Sequence, residues 1–184
     1  MSFIALSAVV AVGALREVDR AALDLVQSVR APWLDLFASM VGILGQAEVT
    51  GGIALGLAVA RLRHGQRDAW MPLLVVAVAV IEIAIKNVVP QLAPPDELSR
   101  TVRLVPFAHV VFTGAFPSGH VARTAFLAGV ARVPAWLGVG VVALMMVTRV
   151  YLADHWPSDV VGGLLLGFLV AQLASVADRR LRRH

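Results

Sequence analysis

The chain has 184 residues, 59% of them hydrophobic and only 15% Asp, Glu, Lys or Arg, with a mean hydropathy of +0.80. A charged fraction so far below the roughly 25% of ordinary globular domains excludes a typical soluble protein and points to an integral membrane protein of one domain, residues 1–184. The net charge of +4 does not argue for nucleic acid, because the basic residues are mostly Arg in short clusters between apolar runs, as membrane topology uses them, and the lack of Cys excludes disulfides and thiolate metal sites.

Apolar segments fall near 2–15, 33–62, 69–89, 118–133, 134–152 and 157–177. Crossing a bilayer takes about 20 helical residues, a length that the third, fifth and sixth segments meet. Residues 2–15 have no Lys or Arg ahead of the apolar stretch, so a retained helix is expected in place of a cleaved signal peptide. That helix either continues through 16–29 or hands over to an interfacial helix, with Leu15, Val18, Ala22, Leu25 and Val29 on one side and Glu17, Asp19, Arg20 and Asp24 on the other. The second segment is weakly interrupted around Gln46–Glu48. In the sixth, Gly163 and Gly167 have the spacing that lets helices approach closely in lipid, most simply within the molecule.

Arg61, Arg63 and Arg67, then Arg132, then Arg179, Arg180, Arg182 and Arg183 mark three places that share one face, which the distribution of Arg makes cytoplasmic. Six crossings with both termini inside is the simplest count, and an all-α, six-helix membrane bundle is the expected fold. The opposite face carries residues 90–117, whose Pro90, Pro94, Pro95, Pro106 and Pro117 argue for an irregular loop.

Ionisable groups inside membrane helices are costly and mark functional sites by default. Here Glu82 and Lys86, then His120 and Arg123, then Arg149, then Asp159 fall at the outer ends of four successive segments, one depth on one face. Lys86, Arg123 and Arg149 form a cationic set suited to phosphate. Pro117, Ser118, Gly119 and His120 read as a helix start with Ser118 as N-cap and Gly119 allowing close backbone approach, which makes an anion site of the free N–H groups. His155 and Asp159 are one helical turn apart, a spacing at which a carboxylate can orient an imidazole. Two histidines beside a phosphate-shaped cationic pocket, without a metal-ligand cluster, suggest one as nucleophile and the other as general acid.

Pro117-Ser118-Gly119-His120, and Arg149-x5-His155-x3-Asp159 after Thr148, resemble the second and third signature motifs of the type 2 phosphatidic acid phosphatase superfamily. Lys86, seven residues before Ala93-Pro94, is similar to the first, Lys-x6-Arg-Pro, so that the motif region runs from 86 to 159. The resemblance implies that His155 forms a phosphohistidine, that Asp159 supports it, and that His120 protonates the leaving oxygen and then helps activate water. It further implies that Lys86, Arg149, Ser118 and Gly119 hold the phosphoryl oxygens, and that neither metal nor other cofactor is required. The chain departs from the pattern at Ala93, where the family has Arg, and mildly at Thr148, where it has Ser. Arg100, Arg103 and Arg123 are the candidates to replace the missing cation; Arg123, one turn below His120 on the same helix face, is the expected one.

The expected substrate is a lipid phosphate or pyrophosphate: phosphatidic acid, phosphatidylglycerol phosphate or a polyprenyl (pyro)phosphate. The site would face the extracytoplasmic side of a bacterial plasma membrane, with membrane lipid as the surrounding partner, no nucleic acid, and a homo-oligomer left open. A phosphotransferase of the same superfamily and a non-catalytic lipid-binding or transport protein are the alternatives; retention of His120, His155 and Asp159 argues against the latter. Of the remaining polar residues, Glu82 is expected to neutralise Lys86 from one turn away, Asp154 to be a solvated loop residue, and Tyr151 and Trp156 to sit in an interfacial belt. Glu48 is expected at a helix end and His109 on the loop surface.

Overall fold

The computed structural model describes residues 2–105 and 114–183. Among the described residues there are eight α-helices and no strand: α1 (Phe3–Ala11), α2 (Arg16–Val26), α3 (Pro32–Ile43), α4 (Ala47–Arg63), α5 (Val75–Lys86), α6 (Gly119–Val130), α7 (Ala135–Tyr151) and α8 (Pro157–Leu181). Single turns of 3-10 helix at Met71–Leu74 and Asp96–Leu98 complete the described regular structure.

Helix boundaries follow backbone chemistry. Pro32 opens α3 and Pro157 opens α8, where the missing N–H costs nothing and φ is already helical. The first segment breaks at Gly13, which takes a φ of +71°, so α1 and the amphipathic α2 are separate helices. The second segment is also two helices, bent by 48° between α3 and α4, with the break slightly earlier than the polar interruption suggests. The third segment begins as a 3-10 turn at Pro72 and becomes α-helical only from Val75, so α5 has 12 residues. After α6, Arg132 adopts a φ of 59° and Pro134 forbids continuation. By length and composition α8 alone is long and apolar enough to cross a membrane, and the bent pair α3–α4 reaches that length together, among the described residues.

Helix α6 is the centre of the molecule. Nine of its residues are buried, which marks a helix enclosed on nearly every side, and α8 is its main neighbour. A Cβ on Gly163 or Gly167 would collide with the carbonyl oxygens of Ser118 or Ala122, so these two glycines set how closely α8 lies against α6. Phe126 of α6, Val78 of α5, Ala54 of α4 and Leu166 and Val170 of α8 form the largest core cluster. Outward positions are apolar as well: Val76, Val80, Trp136, Val139 and Leu173 are all exposed, the surface of a protein whose solvent is lipid.

Candidate active site

The helix ends place the ionisable residues. Lys86 closes α5, His120 and Arg123 occupy the first turns of α6, Arg149 lies in the last turn of α7, and His155 and Asp159 flank the start of α8. Glu82, Lys86, His120, Arg123, Arg149 and His155 line one cavity of about 410 Å³, with Glu48 and Asp154 at its margins. Helices α5 to α8 thus bring the expected cationic set and both histidines to a common space. Ser118, Gly119 and Asp159 are buried beside this group.

Asp159 is fully buried, and one oxygen of its carboxylate supports the turn before α8 while the other ties it to the chain after α5. Its Oδ2 accepts the Trp156 backbone N–H at 2.8 Å and lies 3.4 Å from His155 Nδ1. Its Oδ1 accepts from Gln91 Nε2 at 2.8 Å. With Nδ1 held toward the carboxylate, the Nε2 face of the imidazole is the one left for substrate.

Gln91 and Asp19 escaped the sequence reading. Gln91 Nε2 also reaches Ser158 Oγ at 3.0 Å. Asp19 is buried rather than solvated, its two oxygens accepting from the Ser158 backbone N–H at 2.8 Å and the Ser158 hydroxyl at 2.6 Å. A carboxylate from α2 therefore satisfies one of the orphan N–H groups at the α8 N-terminus. The only sequence signal was an acidic residue on the polar side of an amphipathic helix, which solvent explains equally well.

Ser118 sits at the N-cap position of α6, but its side chain makes no capping bond, contrary to expectation. Its backbone N–H donates to the Asp159 carbonyl at 2.9 Å, which ties the start of α6 to α8, and its hydroxyl is buried without a hydrogen-bond partner among the described residues. The Cα of Gly119 faces Glu82: a Cβ there would collide with both carboxylate oxygens.

Glu82 joins two cations. Oε1 lies 2.9 Å from Lys86 Nζ and Oε2 lies 2.6 Å from Arg123 Nη1. Arg123 also donates from Nη2 to the Gly45 carbonyl at 3.1 Å. Of the three candidates for the missing cation, Arg123 alone lines the cavity. Arg100 is held by Asp35 through two contacts of 2.8 and 3.0 Å, and Arg103 is exposed. Ala93 lines a different cavity, of about 460 Å³, with Arg16, Asp19 and Gln91.

Arg149 donates to Asp154 Oδ2 at 2.7 Å and to the Ala38 carbonyl at 3.0 Å. Asp154 is thus engaged rather than solvated, and it also accepts from Thr101 Oγ1 at 2.6 Å. Tyr151 is buried, not part of an interfacial belt; its hydroxyl donates to Asp35 at 2.5 Å. Trp156 is partly exposed and donates from Nε1 to the Leu92 carbonyl at 2.8 Å. His109 lies outside the described residues.

Four buried polar atoms at this end lack a hydrogen-bond partner among the described residues: His120 Nε2, Ser118 Oγ, Arg123 Nε and Arg149 Nε. Burying such groups unpaired costs free energy, and three of them belong to His120, Arg123 and Arg149, which line the cavity. Among the described residues no three His, Cys, Asp or Glu side chains form a metal-binding group.

A model of the PAP2 superfamily matches residues 68–183, a stretch that contains both histidines and every cation of the cavity. The chain belongs to the PAP2 superfamily. Membership makes it an enzyme, a hydrolase of lipid phosphomonoester or pyrophosphate bonds. The chain is 29% identical over 149 residues to an undecaprenyl-diphosphatase of Sulfolobus acidocaldarius, covering 65% of this chain and 70% of the relative. Its fold is that of the PAP2-type phosphatidylglycerolphosphate phosphatase of Bacillus subtilis, with a TM-score of 0.77 at 22% identity over 97% of this chain and 92% of the other. LpxE of Aquifex aeolicus superimposes with a TM-score of 0.67 at 23% identity over 84% and 92% of the two chains. These folds belong to membrane proteins, and the PAP2 chain described here is one as well.

Proposed function

We propose that this PAP2 protein hydrolyses a lipid phosphate or pyrophosphate through a phosphohistidine on His155, in a cavity at the extracytoplasmic end of a six-crossing bundle. The supporting observation is the meeting of His120, His155, Lys86, Arg123 and Arg149 on one cavity, with Asp159 behind His155. A diphosphate on a long-chain lipid, as in the archaeal relative's name, and a phosphomonoester on a phospholipid, as in the Bacillus enzyme's, both fit a cavity between helix ends whose outer walls face lipid.

In the first step the lone pair of His155 Nε2 attacks phosphorus. A P–N bond forms as the bond from phosphorus to the lipid oxygen, or to the bridging oxygen of a diphosphate, breaks. His120 gives that oxygen a proton. In the second step water attacks phosphorus, its proton passes to His120, and the P–N bond breaks to release phosphate and restore His155. Asp159 stabilises the imidazolium side of the first step, while Lys86, Arg123 and Arg149 offset charge on the phosphoryl oxygens as it develops. Arg123 takes the part that an Arg at position 93 has in the family pattern.

The basic places on the opposite end support this orientation. Arg61, Arg132 and Arg182 gather around Asp68, so the loops richest in Arg share one face, the cytoplasmic one by the charge rule. Phosphate release from a panel of lipid phosphates and diphosphates, with and without EDTA, tests the reading. The wild type releases phosphate in both conditions and His155→Ala does not. Release that needs added metal, or that persists in His155→Ala, overturns it.

A further inference from the structure

Glu82 is placed where the reaction needs no carboxylate. It touches Lys86 at 2.9 Å and Arg123 at 2.6 Å, and it packs against the Cα of Gly119 in the first turn of α6. Two cations and a helix N-terminus are the features that hold a phosphoryl group, and here one internal anion pairs with both cations and packs against the third. It is nearly buried, with a side-chain exposure of 5%, so solvent does little to screen its charge.

We infer that Glu82 is an internal competitor for the phosphoryl subsite, an anion that the incoming phosphate must displace from Lys86, Arg123 and the start of α6. This rests on the proposed phosphatase reading and adds a determinant of phosphate affinity to it. Displacing the carboxylate costs the same for every phosphate. A lipid phosphate offsets that cost with the contacts of its tail, which lie outside the subsite, whereas inorganic phosphate has only the contacts of its own oxygens. Glu82 therefore lowers the affinity for the released product and headgroup-sized phosphates, which have no other contacts to draw on, and the missing Cβ of Gly119 is what leaves room for the carboxylate there.

A carboxylate that merely braced Lys86 and Arg123 would have the opposite effect when neutralised, because the cations would lose their alignment. Glu82→Gln keeps the size and reach of the side chain and removes its charge. Binding of inorganic phosphate to the purified, detergent-solubilised protein is measured by calorimetry, which does not depend on turnover. The expected result is at least tenfold tighter binding in Glu82→Gln than in wild type. Where both proteins turn over lipid, inorganic phosphate also inhibits that turnover with a lower inhibition constant in Glu82→Gln than in wild type.

Glu82→Asp covers the case in which removing the carboxylate from beside Lys86 and Arg123 prevents folding of the Gln variant. It keeps the charge but withdraws it by one methylene from Gly119, and it is expected to bind phosphate about threefold more tightly. Unchanged or weaker phosphate binding in whichever variant folds overturns the inference, as does an absence of binding in both wild type and variant. A wild type that releases no phosphate from any lipid overturns the phosphatase reading instead, and the calorimetric comparison still decides the part played by Glu82.

Discussion

The two ends of the bundle each set arginines against a buried carboxylate, yet they are built for different ends. At one, Arg61 and Arg132 close on Asp68 at 3.2 and 2.7 Å, Arg61 donates to the Val130 carbonyl at the end of α6, and Arg182 approaches at 3.9 Å. These contacts join α4, α6, the turn after α6 and the chain beyond α8, and none of the groups is a histidine. At the other, Glu82 and Asp154 pair with Lys86, Arg123 and Arg149 around a cavity that also holds two imidazoles and, on His120, Arg123 and Arg149, polar atoms unsatisfied among the described residues. The difference teaches that buried ion pairs alone do not mark a site. What does is the combination of nucleophile, unsatisfied donors and space.

The largest effect separates the two ends by activity. His155→Ala is expected to lower phosphate release by at least about 10⁴-fold, because among the described residues no other imidazole on the cavity is held by a buried carboxylate; its thermal midpoint stays close to wild type. Asp68→Ala is expected to do the reverse. It leaves Arg61 buried without its partner, a loss of about 3–5 kcal/mol of stability, while kcat per folded molecule stays within about threefold. Activity against a soluble-fraction-corrected folded yield checks both, and a catalytic loss in Asp68→Ala without a stability loss would erase the distinction.

Much of the active end was legible because its residues sit at helix ends. Lys86, His120, Arg149 and Asp159 stand at the borders of apolar runs, and a common depth follows from counting crossings alone. Arg123 was legible by helical spacing from His120, and the structure seats it on the cavity. Long-range pairing was not legible. That Asp19 would cross from α2 to Ser158, or that Gln91 would bridge Ser158 and Asp159, depends on how the loop after α5 and the second helix pack, and local periodicity carries no such information. Helix lengths were misjudged for a related reason. Hydropathy merges the Pro72 turn with α5, where the backbone changes without any drop in apolar content, and shows only a weak interruption at Gln46–Glu48 where α3 and α4 meet at a sharp bend.

An intermediate effect sharpens the active end itself. Among the described residues Gln91 supplies the only side-chain amide bonded to Asp159. Gln91→Ala leaves Oδ1 of that buried carboxylate without this donor, so the imidazole it orients becomes less well fixed. A fall in kcat of about tenfold with KM changed by less than about twofold is expected. A pure rise in KM would move Gln91 from positioning His155 to holding substrate.

The smallest effect concerns the far side of the same network. In Asp19→Asn the remaining carbonyl oxygen still accepts the Ser158 N–H, but the amide cannot accept the Ser158 hydroxyl hydrogen. Ser158 Oγ then has Gln91 Nε2 and the new amide both donating to it and its own hydrogen unplaced. The lost charge-assisted bond is worth about 1.5–3 kcal/mol, read as a drop in thermal midpoint of about 3–10 °C for a chain of this size. Because Asp159 keeps Gln91, Trp156 and His155, kcat is expected to fall by no more than about threefold. If instead Asp19→Asn lowered kcat as far as Gln91→Ala does, α2 would act on catalysis through Ser158, and the contrast between the anchored and the reactive end of the molecule would extend into the first turn of α8 itself.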